Sequence, residues 1–169
     1  MANKQTQVEL RAVADGAPQV ARERLIALLN EDLAREYQAI IAYVVYSQVL
    51  KGAAYMSIAE ELETHAKQKL EHALIIAKQI DYLGGTPAVT PKPVRDSKHA
   101  EEMLRFDLEN ENDTVRNYKE RVRQCEALDE YAMAEHIRKI LVDEREHQID
   151  LATALGKDVN EVTTSEERA

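Results

Sequence analysis

The chain has 169 residues with 22 Lys+Arg against 31 Asp+Glu, a net charge of −9. The length argues for one domain, and the negative balance argues against a nucleic-acid-binding face and against simple attraction to anionic membranes. The single cysteine, Cys125, excludes an internal disulfide framework and any Cys-Cys metal knuckle. With 44% hydrophobic and 31% charged residues but only five Gly and four Pro, the composition is that of a folded helical protein. No apolar run approaches twenty residues, and the opening MANKQTQVEL has no hydrophobic signal core, so a cytoplasmic protein is expected.

Gly and Pro divide the chain into few pieces. Asp15-Gly16 followed by Pro18 reads as a helix start, which makes residues 1–17 an N-terminal extension. Nothing then breaks a helix until about Gln48. Gly52 marks a turn, and a second helix runs from about Ala53 to Leu83. Gly84-Gly85 stops it, and Pro87, Pro91 and Pro93 keep the next segment extended. Asp96 or Ser97 is expected to cap a third helix reaching about Glu126. A turn at Leu128-Asp129 leads to a fourth helix that ends at Gly156, and the polar residues 157–169 read as a frayed tail. The organisation expected is therefore an extension (1–17), an all-α four-helix bundle (18–156) and a tail.

The connections carry topology. Two are short, which makes their flanking helices antiparallel neighbours. The Gly84–Ser97 segment, fully stretched, reaches roughly 40 Å, close to the roughly 45 Å of a 30-residue helix. Two antiparallel pairs joined by one long crossover is the ferritin-like arrangement.

Each helix has an apolar stripe in steps of three and four. The stripes read Ile26, Leu29, Leu33, Glu36, Ile40, Tyr43, Ser47; then Leu62, His65, Lys69, His72, Ile76, Gln79, Leu83; then Leu104, Leu108, Glu111, Val115, Tyr118, Val122, Cys125; then Met133, Ile137, Ile140, Glu144, His147, Leu151, Ala154. Each is interrupted by polar or ionisable groups, which are costly to bury unless paired or metal-bound. The interruptions repeat: Glu36 to Lys69 and Glu111 to Glu144 both span 33 residues, and His72 and His147 each follow three later. Residues three apart share a helix face, so folding the two diverged units together brings Glu36, Glu111, Glu144, His72 and His147 to one level of the core. Carboxylate oxygens with two imidazoles suit iron, manganese or zinc better than calcium or magnesium.

The segments LLNEDLAREYQAIIAY, KLEHA, EEMLRFDLENE and ILVDEREHQID resemble the ferritin-like superfamily, bacterioferritin in particular, over about residues 20–155. The resemblance implies iron binding and Fe(II) oxidation for storage or detoxification. It implies Glu36, His72, Glu111, Glu144 and His147 as metal ligands, with Glu144 bridging, and it puts Tyr43 where the family often keeps a tyrosine beside the metals. It also implies a homo-oligomer, either a dimer or a cage.

Departures from the family pattern are equally specific. Lys69 stands where the second bridging carboxylate belongs, and Leu70 stands where bacterioferritin has its haem-ligating methionine, so haem is not expected. No fifth helix follows Gly156. Three carboxylates and one ammonium sum to −2, which balances one divalent ion, so the expectation is a single ion, or two held weakly. The alternative is a non-catalytic oligomer in which Lys69 ion-pairs in a metal-free core. A rubrerythrin relative would need Cys-x-x-Cys pairs that the chain lacks, and a manganese-catalase relative a longer chain with the complete ligand set. His65 is expected as a satisfied core or rim histidine, with a substitute ligand as the alternative. His99 and His136 are expected on the surface, Tyr118 and Cys125 in the packing, and Met56, Met103 and Met133 as core fillers. Glu60-Glu61-Glu63 and Glu101-Glu102 are read as solvated faces.

Overall fold

The computed structural model describes the backbone of residues 4–159 and the side chains of residues 21–159. Helix α1 is Lys4–Val49, and a 3-10 turn at Ala53–Tyr55 leads into α2, Met56–Tyr82. Helices α3 and α4 are Ala100–Ala127 and Tyr131–Ala154. There is no strand among the described residues, and no described helix is long and apolar enough to cross a membrane.

Two boundaries differ from expectation. Helix α1 begins at Lys4 and not near Asp15–Pro18. Interior Gly and Pro cost about 1 and 3 kcal/mol, preferences that a long helix can outweigh. Helix α3 begins after His99, without a side-chain cap from Asp96 or Ser97. The Ser97 hydroxyl is engaged one step earlier, accepting the His99 N–H at 3.0 Å, and the acidic Glu101 and Glu102 sit in the first turn instead. The C-terminal ends of α2, α3 and α4 share one geometry. Each has a residue in the left-handed region just past the helix, Gly84 (φ 83°), Asp129 (φ 59°) and Gly156 (φ 65°). The next N–H then reaches back five residues, as from Gly85 to the Ile80 carbonyl at 2.9 Å. Gly85 is also held by space, because a Cβ there would lie 2.5 Å from Ile26 Cγ2.

Helix directions follow from the two apolar cores. At one end Leu25, Leu29 and Leu33 of α1 pack with Ile76 and Ile80 of α2, Tyr118 and Cys125 of α3, and Met133 and Ile137 of α4. At the other end Tyr43, Tyr46 and Leu50 meet Ile58, Leu62, Leu104, Leu108 and Leu151. The Leu25–Leu33 stretch of α1 thus meets the end of α2, with the end of α1 near the start of α2, and the start of α4 meets the end of α3: two antiparallel pairs. The crossover between α2 and α3 runs along α1. Ala88 N–H donates to the Asn30 side chain, Lys92 N–H to the Ala34 carbonyl, and Gln38 to the Pro93 carbonyl. Peptide groups in this segment that have no helix or sheet partner therefore find one on α1.

Most stripe residues are buried as expected, while Ile26, Ile40 and Val122 are half-buried. Met56 is 67% exposed, not a core filler, because it lies two positions before the buried Ile58 and projects from the other side of α2. Gln79 is half-buried and Ala154 is exposed, both toward helix ends. Met103 and Met133 are buried as expected, and His99 and His136 are on the surface.

Candidate metal centre

Between the two apolar cores lies a polar level to which all four helices contribute. Helix α1 supplies Glu36, α2 supplies Lys69 and His72, α3 supplies Glu111, and α4 supplies Glu144 and His147. Every one is at most 2% exposed. The 33-residue correspondence is thus realised in space as two half-sites, Glu36–Lys69–His72 and Glu111–Glu144–His147.

Lys69 occupies the middle. Its Nζ lies 2.5 Å from Glu144 Oε2, 3.0 Å from Glu111 Oε1 and 3.8 Å from Glu36 Oε2. Burial alone would lower the lysine, but the charges of Glu111, Glu144 and Glu36 outweigh it and hold the ammonium above its ordinary range. His72 Nδ1 is 2.8 Å from Glu144 Oε1 and 3.6 Å from Glu36 Oε2, while its Nε2 is 3.0 Å from Asp143 Oδ2. Burial again works against its charge, yet the bond to Glu144 and the nearby Glu36 carboxylate raise the imidazole to about 10. His147 behaves oppositely: burial and the nearby Lys69 overcome the attraction of Glu111 and push it down to about 2. Its Nε2 is 2.8 Å from Gln68 Oε1, and its Nδ1, without a hydrogen bond, is 3.4 Å from Glu144 Oε2. Burial, then the charge of Glu144, raises Glu111 to about 7 in spite of Lys69.

Two tyrosines close the level. Tyr43 donates to Glu111 Oε1, and Tyr118 donates to Glu36 Oε1 at 2.5 Å. Burial, reinforced by the charge of Glu111 for Tyr43 and of Glu36 for Tyr118, keeps both phenols protonated well above their ordinary value. Tyr118, expected only as packing, is therefore a hydrogen-bond donor to a site carboxylate.

Two sets of three potential ligand atoms lie within 4.8 Å of one another: Glu36–His72–Glu144 and Glu111–Glu144–His147. They share Glu144. Glu36 Oε2 is buried with no hydrogen-bond partner, so the first set holds an oxygen that a cation could take without displacing a donor. In the second set the Lys69 ammonium already contacts both carboxylates. Once His72 gives up its Nδ1 proton to solvent, the donors of the first set fit one divalent ion of the iron–manganese–zinc kind; the second set is served by the Lys69 ammonium.

His65 does not join either set. It is 2% exposed, its ring centroid lies 4.0 Å from that of His147 at a tilt of 31°, and Nε2 is 3.1 Å from Asp150 Oδ2. Its Nδ1 has no partner, so the expectation of a satisfied histidine holds for only one nitrogen.

Several polar participants were not singled out from the sequence. Arg121 Nε donates to Asp32 Oδ2 at 2.6 Å, with both side chains buried. Asp107 is buried one turn before Glu111, and burial with that neighbouring charge raises its carboxyl well above the ordinary range. Gln68 and Asp143 anchor the outer nitrogens of His147 and His72. A signal existed for two of them: Asp32 and Asp107 each stand four residues before a stripe glutamate, on the same helix face. The aligning partners come from other helices and leave no mark in the local pattern.

Comparison with known proteins agrees with this architecture. The chain is 27% identical over 142 residues to the bacterioferritin of Brucella melitensis, covering 80% of this chain and 88% of that one. It is 28% identical over 134 residues to a bacterial ferritin of Synechocystis, covering 78% and 86%. A crystal structure of a ferritin-like, diiron-carboxylate protein from Bacillus anthracis superposes with a TM-score of 0.77 at 31% identity, over 80% of this chain and 97% of that one. A bacterioferritin-related dodecameric thioferritin from Bacteroides fragilis shares the fold, with a TM-score of 0.73 at 24% identity and coverage of 91% and 98%. The ferritin-like domain matches residues 26–159, and the chain belongs to the ferritin-like family.

Proposed function

We propose that the protein binds Fe(II) at the Glu36–His72–Glu144 set and promotes its oxidation by oxygen or peroxide, in the service of iron storage or detoxification. The observation that carries this reading is the convergence of three buried carboxylates and two imidazoles from four helices on one level of the core. Kinship with bacterioferritins and with a diiron-carboxylate protein supports iron as the cargo. Glu36, His72 and Glu144 hold the ion, Glu111 and His147 flank it, and Lys69 supplies the second positive charge. Tyr43 and Tyr118 orient Glu111 and Glu36 through their hydroxyls. Manganese or zinc fits the same donors. With Leu70 in place of a methionine, no haem ligand is proposed.

The same reading has the chain acting as a homo-oligomer in the cytoplasm. In support, Val44 and Val45 of α1 and Leu70 and Leu74 of α2 are exposed on the outer face, beside a groove lined by Ile40, Val44, Ala66 and Leu70. Apolar surface of this sort marks association sites.

Anaerobic Fe(II) titration followed by admission of oxygen tests the proposal. One equivalent per chain that is lost in His72→Gln, with oxidation faster than in buffer, is expected. Fe(II) uptake at background would sink it and leave the second reading, a non-catalytic ferritin-fold oligomer. The ion pairs from Lys69 to Glu144 and Glu111 favour that alternative.

A further inference from the structure

One turn along α2 from Lys69, the protein presents a separate set of donors that the proposed centre does not use. Glu61 and His65 lie four residues apart on one face of α2, and Asp150 comes from α4; one ligand atom from each lies within 4.8 Å of the others. The three differ in burial in a telling way. Glu61 is exposed, the Asp150 side chain is 38% exposed, and His65 is 2% exposed. The set is therefore a mouth with an imidazole at its floor. His65 Nε2 points at Asp150 Oδ2 from 3.1 Å, and Nδ1 has no partner.

We infer that Glu61, His65 and Asp150 form a second cation site, which takes a divalent first-row transition metal from solvent. Two carboxylates and a neutral imidazole balance a 2+ charge, and one nitrogen with two oxygens favours zinc or iron(II) over calcium or magnesium. A cation seated there takes the Nε2 lone pair in place of the Nε2–H···Asp150 bond. The ring proton then sits on the buried Nδ1, which has no acceptor, a cost that the metal–nitrogen bond must outweigh. Exposure of Glu61 and Asp150 lets both carboxylates shed water and turn toward the ion at small cost. The floor is packed by contrast, since the His65 ring lies 4.0 Å from that of His147 at a 31° tilt and meets Tyr43 edge-on at 5.7 Å. Neither carboxylate contacts Lys69, Glu36, Glu111 or Glu144 among the ion pairs of the described residues. The carboxylates of the site are thus separate from the central level, which the site touches through the His65 ring beside His147 and Tyr43.

The probe is Zn²⁺ added to the full-length, metal-stripped protein, followed by isothermal titration and by anomalous diffraction at the zinc edge from soaked crystals. An anomalous peak about 2.0–2.2 Å from His65 Nε2 and from carboxylate oxygens of Glu61 and Asp150 is expected. In the Glu61→Gln/Asp150→Asn variant, whose changes are isosteric and partly or fully exposed, one Zn²⁺ equivalent should weaken at least 10-fold. Any zinc in the central level should bind unchanged, which separates failure here from failure of the iron-binding reading. His65→Gln gives the same loss if it folds, and the double variant decides the matter if it does not. No peak between these three residues, or wild-type affinity and stoichiometry in the double variant, overturns the inference.

Discussion

Lys69→Glu is the most revealing change that can be made in this molecule. The ammonium has three buried carboxylates within 2.5–3.8 Å, and stripping a buried group of its partner costs about 3–5 kcal/mol. The new carboxylate adds repulsion against Glu144 and Glu111, so the metal-free variant loses at least that much out of a total stability of about 5–15 kcal/mol. For a chain of this length each kcal/mol shifts Tm by roughly 2–4 °C, giving a fall of about 6–20 °C in EDTA. Metal reverses the loss. The substitution restores a fourth carboxylate, whose charge balances two divalent ions, and each ion at 100-fold excess over its Kd returns about 2.7 kcal/mol. Differential scanning calorimetry in EDTA and in Mn²⁺, with native mass spectrometry to count ions, reads both effects. The variant should be metal-dependent and carry one more Mn²⁺ per chain than the parent. Equal Tm in EDTA would refute the ion-pair argument, and an unchanged ion count would mean that the bundle no longer has the geometry for a second ion.

Two further outcomes test parts of the fold outside the centre. Asp32→Asn leaves the buried Arg121 guanidinium without its anionic partner, and urea unfolding should show a loss of about 3–5 kcal/mol; a loss under 1 kcal/mol would mean that the pair is already solvated. Cys125 is fully buried, and burial, reinforced by the charge of Glu130, pushes its thiol up to about 11. A disulfide reagent at pH 8 should label it only after unfolding. Because the unfolded thiol titrates near 8.5, its folded-state contribution is complete below that pH and is lost as pH rises toward 11; labelling of the native protein within seconds would contradict the burial.

The stripes and glycines made four helices and their order legible, because a 3.6-residue period and a left-handed helix stop are local properties of the chain. The duplicated 33-residue spacing likewise picked out Glu36, Lys69, His72, Glu111, Glu144 and His147, since polar residues in an apolar stripe stand out against their neighbours. What the local pattern does not carry is how those groups divide their contacts. That Lys69 sits closer to Glu144 and Glu111 than to Glu36, leaving a Glu36 oxygen without a hydrogen bond, depends on the packing of four helices. The opposite charge states of His72 and His147, two imidazoles in equivalent sequence positions, have the same origin. One donates to Glu144 beside the Glu36 carboxylate, while burial and then the lysine's charge lower the other, whose outer nitrogen meets Gln68. The Asp32–Arg121 pair and the Glu61–His65–Asp150 mouth also join residues far apart in the chain. Helical periodicity assigns a face to each residue, but only the tertiary structure decides what that face meets, because burial and charge energies depend on distance in space and not along the sequence.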